Sequence, residues 1–254
     1  MNIQTTFKRY ELKYLLTQQQ KEAVLRAMDP HMRLDKYGRS SIRNVYDDTD
    51  TFRLIRSSIE KPVYKEKLRV RSYGEACEDD TVFVELKKKY QSVVYKRRLT
   101  LPFRVANAAL LPNAPFPLDT QIAREIRYVR DFYETLHPAV FLSYEREAYY
   151  ATDGTDFRVT FDDTIRYRTD RLQMNAGTDG RPILEDGLVL MELKAPGAIP
   201  LWMVRVLTDE HIYRTSFSKY GRAYLDMLTR GESAVSICKT QTNTSHTKGD
   251  PAYA

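Results

Sequence analysis

The sequence predicts an α+β fold: a closed, mostly antiparallel, eight-stranded β tunnel with flanking helices. Three observations predict it. About eight segments read as strands and three or four as helices, with no domain break between them. Nearly every strand segment carries one apolar face and one ionic face, because successive side chains point to opposite sides. Several neighbours along the ionic faces share a sign, which costs energy unless an anion or a carboxylate lies between them. Taken singly, each strand also fits an ordinary sheet with its polar face in water. The repetition of the pattern argues instead for a barrel whose interior is ionic.

The elements follow in order. Residues 7–16, FKRYELKYLL, read as a strand. Thr17 starts a helix, with Gln20 completing a capping box, and the helix stops at Asp29-Pro30. SSIRNVYDDT (40–49) reads as the second strand and 50–59 as a short helix or turn. KEKLRVRSY (65–73) is a strand followed by a polar turn, and TVFVELKKKY (81–90) and VVYKRRLTLP (93–102) read as two strands or one long bent one. The proline-rich stretch 103–118 reads as a loop, and 119–136 has helical apolar spacing at Ile122, Ile126, Val129 and Tyr133. PAVFLSYEREAYYA (138–151) and FRVTFDDTIRYRT (157–169) form a hairpin around Asp153-Gly154. A polar loop at 170–187 precedes the strand LVLMELKAP (188–196), then helices at 200–210 and 216–230. One domain is expected over 1–230, with a disordered tail rich in Ser, Thr and Lys over 231–254.

Composition narrows the class. The chain has 254 residues, 42% hydrophobic and 29% charged, which suits a folded protein with a large core. No apolar run approaches the roughly 20 residues of a membrane span. The N-terminus lacks an apolar signal region, so cytoplasm is the expected location. Cys77 and Cys238 form no CxxC pair, and the four histidines have no zinc-ligand spacing. Net charge is +6, so the placement of charge is more informative than its total. No stacking motif or helix-turn-helix pattern supports nucleic-acid binding. Trp202 reads as a core anchor.

The ionic faces carry Arg9, Glu11 and Lys13; Lys65, Lys67, Arg69 and Arg71; Glu85, Lys87 and Lys89; Tyr144 and Arg146; Arg158 and Asp162; and Glu192 and Lys194. Alternation turns Lys88 and Arg97 outward into solvent, and Asp162-Asp163 reads as a pair near a turn, with metal binding as the alternative. A phosphate chain suits such an interior, because Arg offers forked donors and Lys a point charge. Glu11, Glu85 and Glu192 would hold a hard divalent cation on phosphate oxygens, or act as salt-bridge partners that space the cations.

Eight motifs occur in order: RYELKYLL, KLRVR, VFVELKKK, VYKRR, SYERE, FRVTFD, LMELK and FSKY. Over about residues 5–228 the chain resembles the polyphosphate polymerase domain of the vacuolar transporter chaperone family, within the CYTH-like triphosphate tunnel metalloenzymes. The resemblance implies a tunnel that binds the triphosphate of ATP with Mn2+ or Mg2+. It implies phosphate contacts from Lys13, Lys96, Tyr144, Lys194, Ser218 and Lys219. It implies a catalytic group of Arg69, Arg71, Lys87, Arg146 and Arg158, with Glu192 as the metal-binding glutamate, which Glu11 and Glu85 join on the charge pattern. The implied reaction moves the γ-phosphoryl of ATP onto a growing polyphosphate chain, with a triphosphatase or a non-catalytic polyphosphate or inositol pyrophosphate binder as alternatives. The family's link to vacuolar export implies a membrane-protein partner and leaves the oligomeric state open. Two departures stand out. The superfamily opens with Glu-x-Glu-x-Lys where this chain has Arg9-Tyr10-Glu11-Leu12-Lys13, and the polymerase lysine two residues before the FSK serine is Ser216 here.

Overall fold

A computed structural model describes residues 10–60, 62–91 and 93–231. Strand β1 (Tyr10–Thr17) runs into helix α1 (Gln18–Met28) through the expected capping box. Gln20 N–H donates to Thr17 Oγ1 at 3.2 Å, and Thr17 N–H donates to Gln20 Oε1 at 3.0 Å. There follow β2 (Met32–Asp48), α2 (Arg53–Ile59), β3 (Tyr64–Tyr73), β4 (Thr81–Tyr90) and β5 (Val93–Pro102). Next come α3 (Phe103–Leu110), α4 (Gln121–Phe132), β6 (His137–Ala151), β7 (Arg158–Arg168) and β8 (Arg181–Pro182). The described chain ends with β9 (Leu188–Ala195), α5 (Leu201–Asp209), β10 (Arg214–Thr215) and α6 (Lys219–Thr229).

All pairings are antiparallel, in one ten-stranded sheet of order β10-β1-β9-β7-β6-β2-β3-β4-β5, with β8 on β7. This corrects the expected eight-stranded closed tunnel. The two extra strands are the two-residue pieces β8 and β10. Among the described residues no backbone ladder joins the β5 end to the β10 end. Side chains draw the ends together instead. Lys87 of β4 lies 3.6 Å from Glu11 of β1. Lys67 of β3 donates to Ser218 Oγ, just before α6, at 2.9 Å. On the β1 side, Lys13 donates to the Phe217 carbonyl at 2.9 Å and so holds the segment that carries Ser218. The sheet is therefore curled, with its ionic face concave.

Alternation sorts the core as read. Val82, Val84 and Leu86 of β4 pack outward with Leu68 and Val70 under α3 and α4. Leu16, Val159, Phe161 and Met191 pack outward under α1 and α5, where Trp202 stacks on His31 at the edge of this core. The concave face is divided. One part is ionic, and the other is filled by α2 and α6 against Ile42, Tyr46, Leu142 and Leu190.

Three expectations are corrected. The stretch 103–118 is not all loop, because Phe103–Leu110 is helical and buries Phe103, Ala106, Ala109 and Leu110. Pro102 precedes its first turn, where no hydrogen bond is lost, and the other prolines follow its end. Strand β2 begins at Met32 rather than 40. A register shift between Leu34 and Arg39, with Gly38 at φ 59°, breaks the alternation there. The loop 170–187 contributes β8 and is tied down by Arg168, which donates to the carbonyls of Arg171, Gly177 and Asp179. The tail expected over 231–254 lies, beyond Gly231, outside the described residues, as do Arg9 and the start of the first expected strand. Among the described residues no helix is long and apolar enough to cross a membrane.

Asp48 joins three elements on the concave side. It is fully buried at the end of β2 and accepts from the N–H groups of Thr49, Leu54 and Ile55 and from Tyr220 Oη of α6. It thereby serves the start of α2, where the preceding Phe52 has φ 56° and offers no side-chain cap. Asp48→Ala is expected to destabilise the fold by on the order of 3 kcal/mol, since several buried donors lose their acceptor together. Tyr220→Phe is expected to cost about 1 kcal/mol, since one hydrogen bond is lost. Urea unfolding of the two variants beside the parent measures both.

Candidate functional site

The antiparallel register lines up charged side chains in rows across the concave face. Tyr46, Arg69, Glu85 and Arg98 form one row across β2 to β5. Lys67, Lys87 and Lys96 form the next. On the other wall, Lys13, Glu192 and Thr160 align across β1, β9 and β7, beside Glu11, Lys194 and Arg158.

Glu85 is the hub of the first wall. It is 1% exposed and accepts from Arg69 Nε at 2.9 Å and Nη2 at 2.6 Å. It also accepts from Arg98 Nε at 2.7 Å, and Lys96 Nζ lies 2.7 Å away. Burial would raise its carboxyl, but Arg69, Arg71, Lys96 and Arg98 hold it far below the usual carboxylate range. Arg69 is further fixed by Tyr46 Oη at 2.8 Å. Arg71 donates to Asn44 Oδ1 at 2.9 Å and to Tyr144 Oη at 3.0 Å.

Asp162 and Glu192 organise the second wall. Arg146 grips Asp162 with two bonds of 2.6 and 2.7 Å and approaches Glu192 at 3.5 Å. Lys219 lies 2.6 Å from Asp162 and 3.3 Å from Glu192. Lys194 lies 3.1 Å from Glu192, and Lys13 lies 3.2 Å from both Glu192 and Glu11. Burial opposes ionisation of Glu192, but Lys219, Lys194, Lys13 and Arg146 hold it well below its ordinary value. Burial likewise opposes ionisation of Glu11, yet Lys87 and Lys13 hold it at about 2. The Tyr144 ring lies under both Arg146 and Lys219, at 5.1 and 4.6 Å. Thr160 Oγ1, in the same row as Glu192, is buried with no hydrogen-bond partner among the described residues.

Lys67 links the two walls through Ser218. Among the described residues no carboxylate lies within ion-pair range of it. Burial, followed by repulsion from Lys87, Lys65, Lys13 and Arg69, pushes its ammonium down to about 7. Burial also lowers Lys96 to about 7, but that side chain is 44% exposed and reaches Glu85, whereas Lys67 has Ser218 as its partner.

The structure brings together most of the predicted site: Lys13, Arg69, Arg71, Lys87, Lys96, Tyr144, Arg146, Lys194, Ser218 and Lys219. It does not bring Arg158 into that group. Arg158 opens β7 at the rim, is exposed, and is held by Asp156 at 3.0 Å. The three expected metal ligands are also dispersed. Glu85 sits among arginines on one wall while Glu11 and Glu192 share Lys13 on the other. Among the described residues no set of three His, Cys, Asp or Glu side chains is placed to hold a metal. A magnesium-like ion needs only one or two carboxylates when phosphate oxygens complete its shell. Glu11 and Glu192 fit an ion carried in on such oxygens, and no all-protein cage is present among the described residues. Glu85 is instead a counter-charge that spaces cations.

The residues missed were Lys67, Arg98 and Asp162. Alternation already placed Lys67 with Arg69, and Arg98 with Lys96. Asp162 lies in mid-strand, not at a turn, and is fully buried. Lys88 and Arg97 do face outward, but both reach Glu125 of α4, at 3.3 and 3.2 Å, rather than open solvent.

The family model for the VTC domain matches residues 8–228. The comparison with curated proteins returned no match. Among solved structures, a candidate adenylate cyclase from Bacillus halodurans is similar at 16% identity and TM-score 0.53, covering 84% of this chain and 95% of that one. A Hippeastrum protein studied as a candidate adenylyl cyclase, and described by a dominant triphosphatase activity, has 15% identity and TM-score 0.46, covering 83% and 92%. The first likeness supports the fold alone. The family match spans nearly the whole described chain and includes both walls of the concave face, and the chain belongs to the VTC domain family.

Proposed function

We propose that this protein is a metal-dependent phosphotransferase that moves the γ-phosphoryl of ATP onto a growing polyphosphate chain. The observation that carries the reading is the surplus of cations on the concave face. Lys13, Arg69, Arg71, Lys87, Lys96, Arg98, Arg146, Lys194 and Lys219 converge there on Glu11, Glu85, Asp162 and Glu192, and Lys67 stands beside them on Ser218. A multivalent anion would supply the missing negative charge.

Arg69, Arg71 and Arg146 are locked by Glu85, Asn44 and Asp162, so their remaining donors are positioned before the ligand arrives. Preorganised donors stabilise charge in a transferring phosphoryl group without reorganising at the moment of reaction. Lys13, Lys194 and Lys219 would hold the phosphates on the opposite wall. A bound Mg2+ or Mn2+, held by Glu192 and Glu11, would neutralise phosphate charge. The attacking group is a terminal phosphate, already ionised at neutral pH, so the walls need only align it in line with the leaving ADP.

Purified protein with ATP and Mn2+ is expected to release ADP and form phosphate chains resolvable on a gel. Arg69→Ala and Glu192→Ala are each expected to lose about a hundredfold or more in rate. Free phosphate without chains would replace this reading with a triphosphatase. Tight binding without turnover would leave a binding module.

Glu85→Gln is expected to lower stability by on the order of 3 kcal/mol, because buried cations lose their counter-charge. Added tripolyphosphate is expected to restore most of it, read as the rise in melting temperature on ligand addition.

The depressed Lys67 ammonium sets the pH dependence. Between about pH 7 and the usual lysine range the unfolded chain binds more protons than the folded one, so this group's contribution to stability rises with pH there. A bound polyanion restores the charge. Tripolyphosphate affinity is therefore expected to be greatest below about pH 7 and to fall above it, with proton uptake on binding. Titration calorimetry in two buffers of different ionisation enthalpy measures that uptake, and Lys67→Met should reduce it, leaving the share of Lys96.

A further inference from the structure

We propose that Ser218 is itself a phosphoryl acceptor, activated by Lys67, so that the protein primes its own first chain. The inference rests on the phosphotransferase reading and adds an acceptor that the chain carries within it.

Ser218 Oγ lies 2.9 Å from Lys67 Nζ, a pairing across 151 residues of sequence. The hydroxyl is also fixed from the other side, accepting from Gly221 N–H at 3.1 Å. A Cβ at Gly221 would come within 3.2 Å of that oxygen and 3.1 Å of Ser218 Cβ, so glycine leaves the serine room at the start of α6. The neighbours of Ser218 belong to the phosphate-holding set. Lys13 donates to the carbonyl of Phe217, and Lys219 faces Asp162 and Glu192 across the cavity.

A serine hydroxyl needs a base to attack phosphorus. Lys67 is suited to that task by its surroundings. It has no carboxylate in ion-pair range among the described residues and is faced by Lys87, Lys65, Lys13 and Arg69. Those charges, with burial, favour the neutral amine near neutral pH. The Lys67 amine that is still neutral when the triphosphate is bound has a proton within hydrogen-bond reach on Ser218 Oγ, whereas the fraction that has already taken a proton from water cannot act as the base.

The step balances. A bond forms between Ser218 Oγ and the γ-phosphorus. The bond from that phosphorus to the β,γ-bridging oxygen breaks, and ADP leaves with the electron pair. The hydroxyl proton passes to Lys67 Nζ. The product is a phosphoserine among Lys13, Lys67 and Lys219. Its ionised oxygens are then a terminal phosphate of the kind that chain growth requires.

The test is incubation of the full chain with ATP and Mn2+ and no added phosphate chain, followed by intact mass and peptide mapping. The expected result is one or more phosphoryl groups on the peptide containing Ser218. The adduct should vanish in Ser218→Ala. It should form at least about a hundredfold more slowly in Lys67→Arg, whose guanidinium keeps the charge but cannot accept the proton. Lys67→Arg should keep the cooperative thermal unfolding of the parent, which shows that it is folded. ADP and chains appearing with Ser218 unmodified would overturn the inference while leaving the phosphotransferase reading intact. Equal modification in Lys67→Arg would overturn the role of Lys67. Absence of ADP would overturn the parent reading and this one with it.

Discussion

The structure depends on how a few carboxylates are shared among many cations on one concave face. Glu85 is the clearest case: Arg69, Arg98 and Lys96 all meet its two oxygens, and it is almost wholly removed from water. Burying a charge is costly, and only several short, charge-assisted bonds offset that cost. Asp162 plays the same part on the opposite wall, with Arg146 and Lys219. Neither wall is neutral, so the two repel each other wherever the sheet brings them close. The few bridges between them, Lys87 to Glu11 and Lys67 to Ser218, cannot replace a backbone ladder in strength. An anion held between the walls would relieve the repulsion, which ties the stability of the curled sheet to occupancy of the cavity.

What holds the curl against that repulsion is the apolar part of the same face. Helix α6 places Tyr220, Ala223 and Met227 against Ile42, Tyr46 and Leu142, and Tyr220 stacks on Tyr46 with ring centroids 4.6 Å apart. Tyr46 also holds Arg69, so one side chain belongs to both halves. The residue before α6 is Ser218, and its first residue is Lys219. The helix that packs the apolar half therefore delivers two polar groups to the ionic half. Packing and site geometry are coupled through a single element, and Asp48 fastens that element to β2 and α2.

Much of this was legible in the sequence, and the reason is the two-residue period of strands. Alternation alone placed Glu85 and Lys87 on the face opposite Val84 and Leu86, and it turned Lys88 and Arg97 away from the cavity. It could not report closure, because pairing between the first and last strands depends on the three-dimensional curl. It failed at 32–39, where a bulge breaks the period. Helix α3 was hidden by the prolines that flank it, although FRVANAAL has helical spacing. Arg158 has the right parity but lies at the end of its strand, where Asp156 captures it. Asp162 was passed over because paired aspartates favour turns, yet the pairing partner Arg146 stands directly across the ladder.

The same electrostatics bear on which acceptor the site can serve. Activating water takes a base whose proton affinity is near neutral. The carboxylates on this face are poor candidates, since the cations beside them hold Glu11, Glu85, Asp162 and Glu192 below their ordinary values. A carboxylate in that condition binds phosphate-borne cations and orients arginines well, but takes protons badly. An ionised phosphate oxygen needs no such help, because it arrives without a proton to lose. In the phosphotransferase we propose, a cavity that strips its carboxylates of basicity while multiplying its cations would suit phosphate better than water as the attacking group. Lys67 and Lys96 are both amines near neutrality, and Lys67 is the one directed at a hydroxyl, where Lys96 reaches Glu85. The placement of Lys67 supplies basicity to Ser218 without supplying it to bulk water, which is the distinction a transferase must maintain against a hydrolase.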